Sequence, residues 1–361
     1  MFANRIVASV ALLATLSGSA VAQEEAEPTV LKAERAGAGA LAFSPDGKRL
    51  LAGGSYKDKT YLWDVKAGKP AATLNDCGDV MKTAAFSRNG ALAVTVGLDT
   101  GSSRWRVVLW NGRNGKRIGE LPPNSGWSAA VAPNGRVLAV AALGPRVDFY
   151  QLPGGQPLED EKLALPGSAE RIAYSPDGRS LVAVLDRSIL IFDTGSGEQK
   201  GTLEPAAPVK SLAFAPNSRF LVTGLENGNV TCWDLATGAS AWNKEWHEKE
   251  VRGVAVSPDN KVAASAGQDG TVRFHVLRTG REFRVIKGKV GGFESAAYSP
   301  DGKTFAAGFG SGVALWPSSP PDGEKPAAGS SEPESTDQPK PADRPKGKRP
   351  KGARSKTSPK P

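Results

Sequence analysis

One pattern recurs through this chain and constrains its fold more than any other feature. Its fullest copy begins at Leu41, where an apolar strand runs into a Ser-Pro-Asp-Gly turn, and it ends on Trp63-Asp64. Alignment on that turn gives seven copies, whose anchors are Ser44, Ser87, Ala132, Ser175, Ala215, Ser257 and Ser299. Short apolar strands that repeat about every 42 residues predict an all-β fold, a seven-bladed β-propeller of four-stranded blades.

The turn itself has a physical reason. Proline sets φ for the second position of a reverse turn, aspartate can bond its own backbone, and glycine accepts a positive φ. Two copies carry Ser218 and Asn260 at the glycine position, which we expect the turn to tolerate.

The third strand of each copy ends on an aromatic residue or a histidine. These positions are Trp63, Trp110, Tyr150, Phe192, Trp233, His275 and Trp316. With Trp63-Asp64 and Trp233-Asp234, the repeats over about residues 29–316 resemble the WD-repeat family. That resemblance implies a His–Ser/Thr–Asp–Trp hydrogen-bond set in each blade. The sixth copy offers His247, Ser265 and Asp269, with His275 at the Trp position, whereas the fifth offers Thr223 and Trp233 without a histidine. We therefore expect most blades to depend on apolar packing.

The ends of the repeat array predict how the ring closes. The seventh copy stops at Trp316 and lacks a fourth strand, while Val30-Leu31-Lys32 lies upstream of the first copy. This segment stands at the same distance from its turn anchor as a fourth strand does in other copies. It is therefore predicted to supply the outer strand of the last blade, which hides an open sheet edge.

The two ends of the chain differ in composition from the repeats. Residues 1–22 combine Arg5, an apolar run and Ala20-Val21-Ala22, which predicts a signal peptide cleaved near Ala22 and an exported protein, periplasmic or secreted. Residues 23–28 form a short linker. Residues 317–361 contain no Phe, Tyr, Trp, Leu, Ile or Val, and are expected to be disordered.

The tail also accounts for most of the net charge of +9, since residues 340–361 carry nine Lys or Arg against one acid. It is either a solubilising segment without a partner or a weak site for anionic envelope polymers or membrane surfaces. The residues assigned to that polyanion site are Lys346, Lys348, Arg349, Lys351 and Arg354.

Catalytic motifs are missing from the sequence. There is no His/Cys cluster with metal spacing and no nucleophile elbow, so we predict a non-enzyme without catalytic residues, metal or cofactor. His247 and His275 are interpreted as structural or solvated groups. Cys77 and Cys232 lie in separate blades and are expected to be buried and unpaired.

Propellers usually bind partners at the mouth of the central channel. Five residues before the turn anchors stand Gly39, Lys82, Trp127, Glu170, Lys210, Arg252 and Glu294. If the blades superpose, these residues form one ring, with Trp105 nearby in a longer loop over residues 99–106. We interpret the ring as a site for a protein or peptide partner of a monomeric scaffold. The alternative is that its charges only pair between neighbouring blades.

A rival interpretation is an exported propeller enzyme, either a lactonase-like hydrolase or a quinoprotein. Such an enzyme needs acids with histidine or a metal gathered at the channel. Only Glu170 and Glu294 meet the first requirement at the aligned positions.

Overall fold

The structure, a computed structural model, describes residues 27–54, 58–288 and 291–318. The predicted signal peptide and the tail site at Lys346, Lys348, Arg349, Lys351 and Arg354 lie outside these residues. The described ranges form a propeller of seven four-stranded antiparallel blades, as the repeats predict. No helix in this part of the chain is long and apolar enough to cross a membrane.

Each blade is a meander whose strands follow one another along the chain. Blade 1 comprises β2 (Ala40–Phe43), β3 (Arg49–Gly53), β4 (Thr60–Asp64) and β5 (Lys69–Leu74). Blade 2 comprises β6 (Val80–Phe86), β7 (Leu92–Asp99), β8 (Arg104–Asn111) and β9 (Arg117–Glu120). Blade 3 comprises β10 (Ser128–Val131), β11 (Val137–Ala141), β12 (Arg146–Gln151) and β13 (Gln156–Ala164). Blade 4 comprises β14 (Arg171–Tyr174), β15 (Ser180–Leu185), β16 (Ser188–Asp193) and β17 (Gln199–Leu203).

The remaining blades follow the same plan. Blade 5 comprises β18 (Val209–Phe214), β19 (Phe220–Leu225), β20 (Asn229–Asp234) and β21 (Ala239–Glu245). Blade 6 comprises β22 (Val251–Val256), β23 (Val262–Gly267), β24 (Thr271–Val276) and β25 (Glu282–Lys287). Blade 7 comprises β26 (Phe293–Tyr298), β27 (Thr304–Phe309), β28 (Gly312–Pro317) and the N-terminal β1 (Thr29–Leu31).

The N-terminal strand closes the ring, which confirms the predicted closure. Strand β1 pairs antiparallel with β28, with Thr29 opposite Leu315 and Leu31 opposite Val313. Leu31 is almost fully buried and packs against apolar side chains of blade 1 as well as blade 7. The first residues of the described chain therefore connect the last blade to the first.

Apolar packing between blades forms the core. Second strands such as β3 and β15, and third strands such as β4 and β16, are buried on both faces, which explains their nearly continuous apolar sequences. One apolar cluster, for example, joins Leu92 and Val94 of β7 to Leu138 and Val140 of β11. Each blade thus buries its faces against its two neighbours.

The repeated turn has one geometry in all seven copies. Its third residue after the anchor has a positive φ throughout, from Gly47 at 68° to Ser218 at 61° and Asn260 at 59°. The predicted tolerance for Ser218 and Asn260 is confirmed, because both adopt the left-handed conformation that glycine adopts elsewhere.

Four of the innermost strands contain a β-bulge near their first residues. In each, the pairing register skips one residue, and the skipped residues are Lys82, Lys210, Arg252 and Glu294. A glycine of the second strand pairs with a residue beside each bulge, at Gly97, Gly224, Gly267 and Gly308. Bulges re-aim the extra residue away from the regular ladder. They explain how these four charged side chains leave the sheet surface.

Candidate partner-binding site at the channel mouth

The innermost strands surround a central cavity of about 620 Å³. Six of the seven predicted ring residues line it, namely Gly39, Lys82, Glu170, Lys210, Arg252 and Glu294. Trp127 instead lines an adjoining pocket of about 300 Å³ together with Trp105. The two cavities share Lys82, Glu170 and Arg171, so the structure brings the predicted site residues together around one mouth.

Three of the five charged ring residues have their charge balanced by protein partners. The Lys210 Nζ lies 2.7 Å from an Oε atom of Glu226. The Arg252 guanidinium reaches Glu250 at 2.8 Å and Glu294 at 2.7 Å, and the second pair joins blade 6 to blade 7. For these residues, pairing between or within blades accounts for the charge without any external partner.

Two other cations have no such partner. The side chains of Lys82 and Arg171 make no hydrogen bond or ion pair with any residue that the structure describes. Desolvation in the cavity lowers the pKa of Lys82, and the positive charges of Arg171 and Arg252 lower it further. Desolvation is also the main cause of the lowered pKa of Arg171, which Arg252 lowers further while Glu170 opposes the change. The mouth therefore holds positive charge that the described protein compensates only in part.

Arg171 did not emerge from the sequence alignment as a site residue, although the alignment contains a signal for it. The residues four positions before the turn anchors are Ala40, Thr83, Ser128, Arg171, Ser211, Gly253 and Ser295. The others are small, and Ser211 and Ser295 donate hydrogen bonds to the next blade, to Val251 O at 2.8 Å and Ala38 O at 2.6 Å. Arg171 is the one long, charged side chain at this position.

Two tryptophans form the aromatic wall of the smaller pocket. Their rings meet edge to face, with the centroids of Trp105 and Trp127 6.3 Å apart. The Trp127 Nε1 donates to Ala169 O at 2.5 Å, which orients that indole. Trp127 is half-buried. The prediction of a loop over residues 99–106 is wrong. Strand β7 extends to Asp99 and β8 begins at Arg104, so Trp105 lies in a strand.

Blade 6 contains a buried hydrogen-bond network that resembles a Ser–His–Asp arrangement. His247 Nδ1 lies 3.1 Å from both carboxylate oxygens of Asp269, and its Nε2 lies 2.8 Å from Ser265 Oγ. Ser265 Oγ also lies 3.1 Å from His275 Nε2. Burial would raise the pKa of Asp269, but the hydrogen bonds from His247 and Thr271 outweigh it and hold the pKa well below its usual range. Ser265 and His275 are fully buried, so a substrate cannot reach the hydroxyl in this conformation.

The aromatic residues beside this network fill the core. Trp246 stacks on His275 with centroids 3.4 Å apart, and the buried Trp242 Nε1 donates to Leu277 O at 2.7 Å. Both tryptophans therefore pack within the apolar core between blades 5 and 6. Burial lowers the pKa of His275 well below its ordinary value, and its Nδ1 has no hydrogen-bond partner among the described residues.

The indole nitrogens of the repeats differ in their partners. The Trp110 Nε1 donates to Thr95 Oγ1 at 2.9 Å, and the Trp233 Nε1 donates to Thr223 Oγ1 at 3.0 Å. The buried Trp63 Nε1 has no hydrogen-bond partner in the described part of the chain, because the equivalent residue in blade 1 is Ala52. An unpaired buried donor is destabilising.

Replacing Ala52 by serine should therefore stabilise the protein by about 1 kcal/mol, because the new hydroxyl can accept from Trp63 Nε1. The measurement is the free energy of unfolding in urea. The matched control is Ala183→Ser, a buried alanine at the same position of blade 4, where Phe192 has no donor. That variant should lose about 1 kcal/mol or more. Equal effects of the two substitutions would contradict the explanation.

Both cysteines are buried and unpaired, as expected. Burial raises the pKa of each thiol, of Cys77 and of Cys232, to about 12. The thiolate is the reactive form, so neither residue has the properties of a nucleophile. The described residues also contain no group of three or more His, Cys, Asp or Glu placed to hold a metal ion.

Comparison with known families agrees with this architecture. A family model described as "Outer membrane protein assembly factor BamB" matches residues 7–244, more than half of the chain. A second, "WD domain, G-beta repeat", matches residues 242–275, which include the His247–Ser265 network and most of the first three strands of blade 6. The chain belongs to the BamB family, and residues 242–275 match the WD-repeat model. The WD-repeat resemblance of the sequence is thereby confirmed.

The curated relatives of this propeller share about a quarter of their aligned residues with it. Eukaryotic translation initiation factor 3 subunit I of Aspergillus fumigatus is 25% identical over 225 residues, covering 56% of this chain and 63% of the relative. The same subunit of Emericella nidulans is 25% identical over 238 residues, covering 60% and 67%. The guanine nucleotide-binding protein subunit beta of Oryza sativa subsp. japonica is 23% identical over 232 residues, covering 57% and 61%. The chain thus spans roughly three fifths of the length of the first of these relatives.

Proposed function

We propose that this protein is an exported, monomeric and non-enzymatic scaffold that binds a protein or peptide at the channel mouth. The observation that carries the proposal is the placement of Trp105 and Trp127 beside a ring of charged residues. Aromatic side chains next to polar groups are typical anchors of protein interfaces. The ring comprises Lys82, Glu170, Lys210, Arg252 and Glu294.

The relatives support a scaffolding role. The curated relatives are described as subunits, of a translation initiation factor and of a guanine nucleotide-binding protein, and therefore as parts of larger assemblies. The matching family is described as an assembly factor of outer membrane proteins, which also supports an exported address. The apolar leader with its Ala20-Val21-Ala22 site supports export independently.

The test is affinity capture from the cell envelope, with the wild-type protein compared with two variants. Trp127→Ala removes an indole from the mouth, and the partner recovered with the wild type should be lost. Ile118→Ala is the control, because Ile118 is 47% exposed on β9, the outer strand of blade 2. Recovery of the same partners with Trp127→Ala as with wild type would contradict binding at the mouth. Edman sequencing of the exported protein should start at Gln23.

An exported quinoprotein is the second candidate, since the BamB family model carries the label PQQ_2. The described channel residues do not fit its catalytic centre. Both carboxylate oxygens of Glu294 are already held, by Arg252 at 2.7 Å and by Gln268 at 2.7 Å. Glu170 is then the one aligned channel acid that is not held by an ion pair among the described residues. Both histidines lie in the buried network of blade 6, so neither is at the channel. Reduction of an artificial electron acceptor by the purified protein with added quinone cofactor would support the enzyme.

A further inference from the structure

The smaller pocket at the mouth combines uncompensated positive charge with an aromatic wall. Its charged residues are Lys82, Arg171 and Glu170. The carboxylate of Glu170 acts on both cations without a hydrogen bond to either, so the three groups leave one positive charge in excess. The cations also repel each other. A ligand that brings one negative charge would relieve this repulsion.

The size of the pocket limits what can enter. A volume of about 300 Å³ lies at the lower end of ligand-binding cavities and suits one or two amino-acid side chains. The exposed carboxylate of Glu170 disfavours a doubly charged phosphate, whereas a single carboxylate matches the excess charge. Trp105 and Trp127 present ring surface on which an apolar side chain can pack.

We infer that the pocket binds an acidic side chain of an extended partner segment together with an adjacent aromatic or aliphatic side chain. The carboxylate lies between Lys82 and Arg171, and the apolar side chain packs on Trp105 and Trp127. This inference rests on the proposed function and names the chemistry of the partner. Charge-assisted hydrogen bonds from arginine to a carboxylate supply much of the affinity.

The test begins with selection of random seven-residue peptides on the full chain. The enriched peptides should contain Asp or Glu next to Phe, Tyr, Trp, Leu or Ile. A synthetic enriched peptide with blocked ends is then compared with its Asn or Gln version by tryptophan fluorescence. The amide version should bind at least tenfold more weakly. A phosphoserine version that binds more tightly than the carboxylate would overturn the assignment.

Substitutions in the protein test the same contact from the other side. The substitutions Lys82→Gln and Arg171→Gln should each weaken binding of the acidic peptide by about tenfold. Arg171→Lys keeps the charge and should retain most of the affinity. The matched control is Lys200→Gln, which removes a cation of β17, the outer strand of blade 4, that is already paired with Asp193, and should change affinity less than about twofold. Urea unfolding of each variant establishes that the fold is intact.

The possible failures are distinguishable. Enrichment of peptides without acids, no enrichment at all, or unchanged binding by Lys82→Gln and Arg171→Gln would overturn this inference. A partner that is captured through Trp127 but is insensitive to both charge variants would overturn it while leaving the proposed function intact. The proposed function itself would be contradicted only if capture of the partner did not depend on Trp127.

Discussion

Replacing Leu31 by alanine should lower the free energy of unfolding by about 3 kcal/mol. Leu31 is 1% exposed and packs in a cluster with Leu50 and Trp63 of blade 1 and Leu315 of blade 7. Its loss leaves a cavity at the one junction where the two ends of the propeller meet, and buried leucine-to-alanine changes commonly cost 2–5 kcal/mol. Urea unfolding followed by tryptophan fluorescence measures the effect.

The control is Thr29→Ala in the same strand. Thr29 is exposed although it pairs with Leu315, so its replacement should change stability by less than about 0.5 kcal/mol. If Leu31→Ala unfolds at the same urea concentration as Thr29→Ala, β1 does not contribute to the closed ring.

Stability should fall by about 2 kcal/mol between pH 7.5 and pH 5, and the buried His275 should be the main cause. Burial lowers the pKa of His275 in the folded state well below 6.5, with smaller effects from His247 and Arg273. The unfolded chain therefore binds a proton at this residue below about pH 6.5, while the folded chain does not. The stability that comes from keeping His275 neutral in the folded state is therefore fully present above about pH 6.5. It is lost as the pH falls below that value.

The variant His275→Phe isolates this effect. It keeps a flat ring against Trp246 and leaves His247 bonded to Ser265 and Asp269. His247, the other histidine of the chain, is present in both proteins, so the comparison isolates the effect of His275. The unfolding free energy of His275→Phe should change less over that range than that of the wild type. Identical pH dependence in both proteins would contradict a buried, neutral His275.

The repeats made most of the fold predictable from the sequence. A turn such as Ser44–Gly47 encodes its own conformation, and six even spacings between the seven turns predict a blade at each turn. Closure was predictable because Val30–Lys32 stands at the distance of a fourth strand. These inferences depend on the residue types of the turns and on the distances between repeats, both of which can be read from the sequence.

The candidate site was predictable only in part. Counting back from the turns found Lys82 and Glu170, but it placed Trp127 in the central ring and missed Arg171. Position along a strand gives no information on which cations find partners, because pairing depends on side chains brought together from different blades. Likewise, His275 occupies a Trp position that the repeat identifies, whereas its unpaired Nδ1 depends on three-dimensional packing.

The bulges at Lys82, Lys210, Arg252 and Glu294 separate folding from recognition. A residue skipped by the pairing register lies outside the regular ladder, so the pairing of its neighbours does not depend on its side chain. At Lys82, whose side chain forms no ion pair with a described residue, another polar residue can take its place without breaking a salt bridge. The mouth of this propeller can thus acquire new specificity by point substitution, on a scaffold that stays the same.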